Sequence, residues 1–221
     1  MKKTVSIVLA SLLLCVSHPV WAEDEEKPLI DILYDAYGIE LLGFTEARVG
    51  TRLVEDAHQD SMSIGETRVQ LELNRFFDNF SVQFKGDILA DSVTEEVDTY
   101  VREFYVAFRP TDILDMSLGR MVSTWGTGDL VFINDTFPKD WQSFFIGRDD
   151  EYLKQAADSI RAGLFLGENS IDVVYTPSFQ GSEYISGERL SYYNPGVGAI
   201  VGQNMIMSDD KSDEDFEDDE I

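Results

Sequence analysis

Eleven charged residues fall on the polar side of short alternating runs: Glu40, Glu46, Arg48, Glu66, Arg68, Glu72, Lys85, Asp87, Glu103, Arg161 and Asp172. Charges of both signs along one wet wall allow two kinds of behaviour. They can set a transverse field that sorts solutes by charge, or they can pair and only stiffen the wall. If Gly50 stands opposite Ile64, then Glu46 faces Arg68 and Arg48 faces Glu66. Such cross-strand pairs contribute about 0.2–1 kcal/mol each. A second group lies between residues 123 and 158, where Asp129, Asp135, Lys139, Asp140, Arg148, Asp149, Asp150 and Glu151 are interleaved with Trp125, Phe132, Phe137, Trp141, Phe144 and Phe145. Full burial of one such ring is worth about 1.5–3 kcal/mol, so the rings are expected to pack rather than stay in water. Their host is either a protein interior or a sugar-like ligand.

Catalytic chemistry has little to work with. His58 lies in a polar stretch, no serine stands near a histidine in a strand context, and no histidine cluster suits zinc. Scattered carboxylates in an acidic chain are weak support for glycoside hydrolysis. The run from Asp209 to Glu220 lacks the glycine of a calcium loop and reads as a solvated acidic run. No metal and no cofactor is expected, and the chain is not expected to be an enzyme.

The elements that must position these charges are strands of period two. Seven runs alternate: 39–49, 66–75, 80–91, 99–109, 113–122, 159–166 and 171–176. "ETRVQLELNR" (66–75) is the most regular, with Val69, Leu71 and Leu73 on one side and Arg68, Gln70 and Glu72 on the other. Arg102 interrupts the apolar row of the fourth run, where Tyr100, Phe104, Val106 and Phe108 are grouped together. Gly119-Arg120 falls out of phase in the fifth, which suggests a bulge there. Connections 75–79, 109–112 and 167–169 are tight. Those at 50–63, 91–98, 123–158 and from 177 on are polar and mostly long. Residues 29–37 read either as a short helix or as an unstructured lead-in.

Composition narrows the class. The chain has 221 residues, 42 Asp+Glu against 17 Lys+Arg, and one cysteine. Lys2 and Lys3, the apolar run from Val5 to Val16 and the sequence Val20-Trp21-Ala22 read as a signal peptide, residues 1–22. Losing Lys2 and Lys3 leaves 15 basic residues against 42 acidic ones, a charge of −27 for the remainder. That balance argues against nucleic acid as a partner. Export without the lone Cys15 argues against a disulfide scaffold. A soluble antiparallel sandwich would alternate in the same way. Three features favour a transmembrane β-barrel instead: the signal peptide, long connections at one end only, and aromatics at the strand ends. Phe76, Phe77, Phe80 and Phe108 lie near the tight turns; Tyr100, Tyr175 and Phe179 lie near the long loops.

In the stretch "LGRMVSTWGTGDLVFINDTFPKDWQSFFIGRDDEYLK" (118–154), a strand ends in Gly-Arg and is followed by Trp-Gly and the longest internal connection. With the seven runs, this resembles Gram-negative outer-membrane porins and porin-like export barrels, the alginate-export type included, over roughly residues 38 to 200. The resemblance implies an all-β, antiparallel transmembrane β-barrel in the outer membrane. It also implies a loop after strand five that folds into the lumen, and dependence on the outer-membrane assembly machinery. Porins often form homotrimers, though no segment here identifies a subunit interface. Seven runs are fewer than a closed bacterial barrel needs, and Ile221 is not the usual terminal aromatic. The chain is therefore expected to be the amino-terminal part of a longer barrel.

The resulting division is a signal peptide (1–22), a periplasmic lead-in (23–37), barrel strands (38–176) with an inward loop (123–158), and an extracellular loop with an acidic tail (177–221). The expected pore-lining residues are Glu46, Arg48, Glu66, Arg68, Lys85, Asp87, Glu103, Arg120 and Arg161. The expected constriction residues are Trp125, Asp129, Asp135, Lys139, Asp140, Trp141, Arg148 and Asp149, with Arg120 pairing with Asp129 or Asp149. The expected function is a channel for small hydrophilic solutes, with outer-membrane lipid around it. The alternative is a non-conducting barrel that serves as a scaffold for periplasmic or surface partners.

Overall fold

The computed structural model describes residues 28–124 and 135–206, and within them the chain is mostly antiparallel β. A short helix, α1 (Leu29–Tyr37), comes first. It ends at Gly38, whose φ of 64° suits a residue without Cβ and whose N–H returns to the Tyr34 carbonyl at 2.8 Å. No residue of α1 is buried. Of the two readings of 29–37, the helix is the one that forms.

Seven strands follow: β1 (Ile39–Thr51), β2 (Met62–Phe76), β3 (Phe80–Asp91), β4 (Glu96–Thr111), β5 (Leu114–Val122), β6 (Ala156–Leu166) and β7 (Asn169–Tyr175). They are hydrogen-bonded in chain order as one antiparallel sheet, β1 and β7 each having a single neighbour. The register puts Gly50 opposite Ile64, Glu46 opposite Arg68 and Arg48 opposite Glu66, as the alternation implies. A hairpin of β8 (Tyr192–Asn194) and β9 (Ala199–Val201) lies in the region expected to be loop.

Two local expectations are corrected. No register shift occurs at Gly119-Arg120: β5 pairs without interruption from Leu114 to Val122 along β6. Gly119 has φ 132°, and a Cβ there would stand 2.3 Å from the Phe104 carbonyl oxygen, so close backbone approach explains the irregularity. The bulge is in β4. Lys85 pairs with Glu103 and Gly86 with Val101, leaving Arg102 as the extra residue. The extra residue reverses the pleat, so Tyr100 shares a face with Asp87, and Val101 takes the side of Phe104. Tyr100 therefore leaves the row of Phe104, Val106 and Phe108. The connection expected over 91–98 is also tighter, since only residues 92–95 lie outside strands and the Asp91 carboxylate accepts from the Val93 amide at 2.8 Å.

The two faces of the sheet differ. Every strand contributes an exposed apolar residue to one face: Val49, Leu71, Ile88, Phe104, Leu118, Ile160 and Val173. The other face carries the charges, and there the segments 135–155 and 182–206 are laid down. Buried Ile146, Tyr152, Leu153 and Val201 all come from those segments. Burial is therefore concentrated on the polar side.

Candidate functional site

The site is built where the segments from two connections meet the polar ends of β2, β3 and β4. Asp140 caps α2 (Trp141–Phe145) by accepting from the Ser143 amide at 2.7 Å. Asp149 does the same for a turn of 3-10 helix, Asp150–Leu153. An isolated bridge of Lys139 with Lys154 closes the first segment on itself, and one of Asp140 with Glu183 ties the two segments together. These local devices fix the places of Arg148 and Tyr152.

Arg148 donates to Glu66 on β2, with Nη2 2.7 Å from Oε1. Arg189, from the second segment, lies 3.4 Å from the same carboxylate and also pairs with Asp91 at the end of β3. Beside them, Arg68 and Asp87 form a pair at 2.6 Å with both side chains buried. Tyr152 packs under two guanidiniums, Arg68 at 3.9 Å and Arg102 at 4.2 Å from the ring centroid. Gln70 donates to its hydroxyl at 3.0 Å. The β4 bulge has a consequence here, because it aims Arg102 at the segment, where Nη2 donates to the Glu151 carbonyl at 2.9 Å. Arg48 reaches the same segment by donating to the Gly147 carbonyl at 2.9 Å.

Burial and neighbouring charge act in opposite directions on these groups. Burial disfavours the charged form of Arg148, yet the hydrogen bond and charge of Glu66 outweigh it and hold its pKa above the ordinary arginine value. For Arg189 burial prevails over the attraction of Glu66, and its pKa is lowered. Tyr152 is pushed up, chiefly by burial, so its phenol stays neutral.

These groups border a cavity of about 310 Å³ between the polar face and the two segments. Its wall carries six basic and seven acidic side chains together with Tyr100, Tyr152, Gln142, Gln155 and Gln180. The arrangement can orient a small polar molecule by hydrogen bonds. Among the described residues no group of His, Cys, Asp and Glu is placed to hold a metal ion.

Of the expected pore-lining residues, Glu66, Arg68 and Asp87 come together in this cluster. Glu46 pairs with Arg48 at 2.6 Å. The cross-strand partners are thus adjacent in register, but both ion pairs go elsewhere, because Arg148 and Asp87 offer Glu66 and Arg68 drier and closer contacts. Lys85 lies between Glu72 at 3.6 Å and Glu151 at 3.8 Å, with Glu103 opposite it in register. Arg161 pairs with Asp172 at 3.0 Å, away from the cluster. Arg120 borders the cavity and pairs with Asp158 at 3.6 Å rather than with Asp149, while Asp129, its other expected partner, lies outside the described residues.

Of the expected constriction residues, Asp140, Arg148 and Asp149 belong to the docked segment. Asp135 and Lys139 pair with each other at 3.1 Å, both buried. Trp141 meets Phe144 edge to face at 6.2 Å. Trp125, Asp129 and Phe132 lie outside the described residues. Of the expected rings, Phe145 is 57% and Phe144 39% exposed and Phe137 and Trp141 are half-buried, whereas Tyr152 and Leu153 are buried. Sequence reasoning missed Arg189, Tyr152 and Gln155, which stand in stretches without periodicity. The break at Arg102 was the one available signal.

No family model matches the chain, and no curated protein matches it.

Proposed function

We propose that this chain is an outer-membrane channel, of the porin-like kind, for small hydrophilic solutes. In this reading the seven strands are an arc of a transmembrane β-barrel wall, with their apolar face toward lipid and their charged face toward a wet lumen. One observation carries it: every strand exposes an apolar residue on one face, while the other face is covered at its centre by the segments 135–155 and 182–206. Soluble monomers rarely leave a contiguous apolar patch larger than a few hundred Å². A sheet in lipid has the opposite requirement on that side. Hydrocarbon cannot hydrogen-bond strand edges, so those of β1 and β7 must be paired in the closed wall. The segment 135–155 then narrows the lumen from inside, and its charged contacts define the polarity of the passage.

The scaffold reading draws on a specific feature. Two segments are fastened to the wall by buried ion pairs through Glu66 and Asp91, a geometry that could also seal a lumen. Planar-bilayer recording of the full chain separates the two. Discrete, ohmic current steps support a channel. Insertion into the bilayer without current supports the scaffold, and failure to insert removes both.

A further inference from the structure

The apolar face carries an unmatched charge at its tight-turn end. On β2 the residues that share this face are Val69, Leu71, Leu73 and Arg75, and Arg75 stands opposite Ile39 of β1 and Val82 of β3. It is exposed. Every other arginine among the described residues donates to a carboxylate or to a backbone carbonyl. Arg75 does neither; its guanidinium lies over the Phe77 ring, 4.5 Å from the centroid. Asp78, in the adjoining turn, is exposed as well, and no ion pair joins the two. In a chain with 42 acidic residues against 17 basic ones, an arginine without an acid is the exception.

The surroundings of that charge say what kind of anion suits it. Phe77 stacks on Phe80, with centroids 4.2 Å apart and planes 14° from parallel, and both rings are exposed. A guanidinium laid on a ring keeps its N–H groups in its own plane, open to an oxygen acceptor. Phe80 also begins a shallow groove lined by Asn79, Phe80, Val106, Phe108, Arg109 and Pro110. Arg109 is already neutralised by Asp115, so the free charge beside the groove is that of Arg75. Val106 stands two strands from Arg75, by way of Val82, which is about 10 Å at the usual strand spacing. A free cation, an aromatic stack and an apolar groove thus follow one another along the rim of the wall. A phosphodiester joined to acyl chains meets all three. Inorganic phosphate would use the arginine and leave the rings and the groove bare.

We propose that Arg75 and the Phe77–Phe80 stack bind the phosphate of an anionic glycerophospholipid at the tight-turn rim of the sheet, with an acyl chain in the groove. The proposal rests on the channel reading, because it needs the apolar face in lipid. The guanidinium donates to two phosphate oxygens, and the phosphate supplies the counter-charge that the chain itself withholds. A choline head group brings its own cation, so phosphatidylglycerol is favoured over phosphatidylcholine.

Electron paramagnetic resonance of spin-labelled lipids tests the site. The full chain is folded into phosphatidylcholine liposomes that hold a trace of spin-labelled phosphatidylglycerol or phosphatidylcholine. Lipid in contact with the sheet then shows as a motionally restricted component. At the one site phosphatidylglycerol should associate about five-fold more strongly, as expected for a single arginine near a membrane surface. Arg75→Gln should remove that preference and leave the restricted component in place. Arg161→Gln, on the charged face, should leave the preference unchanged. Equal restriction of both lipids, or a preference that persists in Arg75→Gln, overturns the proposal and keeps a lipid-facing wall. A preference lost equally in Arg161→Gln would trace to total charge and overturn it too. No restricted component with either lipid would sink the site and the channel reading together.

Discussion

The two faces of the seven-stranded sheet invert the arrangement of a water-soluble domain. The apolar face is bare, with Val173 57% and Phe104 54% exposed, while the charged face is covered at its centre and holds Arg68 and Glu66 at 4%. A soluble sandwich buries the first kind and wets the second. The difference teaches that alternation alone does not say which side is the interior. Here the side with the charges recruits the irregular segments, because those segments carry the complementary charges. Under the channel reading, the other side is left for a medium that accepts hydrocarbon.

The covered face can be broken at its centre. Glu66→Gln leaves Arg148 and Arg189 without their shared counter-charge. Removing one member of a buried ionic cluster costs about 3–5 kcal/mol. Segments 135–155 and 182–206 should then both gain amide hydrogen exchange, while the central pairing of β1 with β2 stays protected. Unchanged exchange in both segments would mean that Glu66 does not hold them.

The bare face is tested by one substitution made on each side of the pleat. Leu71 and Phe44 are both apolar and both exposed, on neighbouring strands. The register places Leu71 opposite Gly43 and Phe44 opposite Gln70, hence on opposite faces. Under the channel reading Leu71→Arg should cost about 2–4 kcal/mol in folding into lipid, and Phe44→Arg far less. Equal and small effects, measured by urea titration in liposomes, would fit a protein wet on both sides.

A smaller effect is expected from pH. The Tyr152 phenol is held above its ordinary pKa of 10.0, chiefly by burial. A raised folded-state pKa means that this contribution is complete below pH 10 and is lost as pH rises beyond it. Protease resistance of the segment around Tyr152 should fall above pH 10 in the native sequence. In Tyr152→Phe that alkaline loss should be reduced. The smallest effect belongs to the open part of the charged face. Arg161→Ala breaks an exposed pair with Asp172 and should change stability by at most about 1 kcal/mol in thermal melts.

The strands, their faces and the β1–β2 register were legible because pleating imposes period two on residues in local sequence. "ETRVQLELNR" states its two faces almost without error. The partners of the charges were not legible. Arg189 lies 123 positions from Glu66 and 98 from Asp91 in a stretch with no period, so nothing local marks it as part of the cluster. Tyr152 was hidden for a different reason. Expectation favoured the apolar rings of Trp141, Phe144 and Phe145, but docking onto a charged wall selects a ring that accepts guanidinium contacts and a hydroxyl bond. The break at Arg102 was visible as a flaw in alternation, yet its meaning as the bulge that turns Tyr100 inward depends on pairing with β3.

The most direct test of lipid on one face and water on the other is a set of single spin labels along β3. With Cys15 replaced, cysteines can be placed singly at Ser81, Val82, Gln83 and Phe84, which alternate between the faces. In liposomes the labels at 82 and 84 should be relaxed mainly by oxygen, which concentrates in hydrocarbon, and those at 81 and 83 mainly by a water-soluble nickel chelate. Nickel accessibility equal at all four positions would contradict a lipid-facing wall.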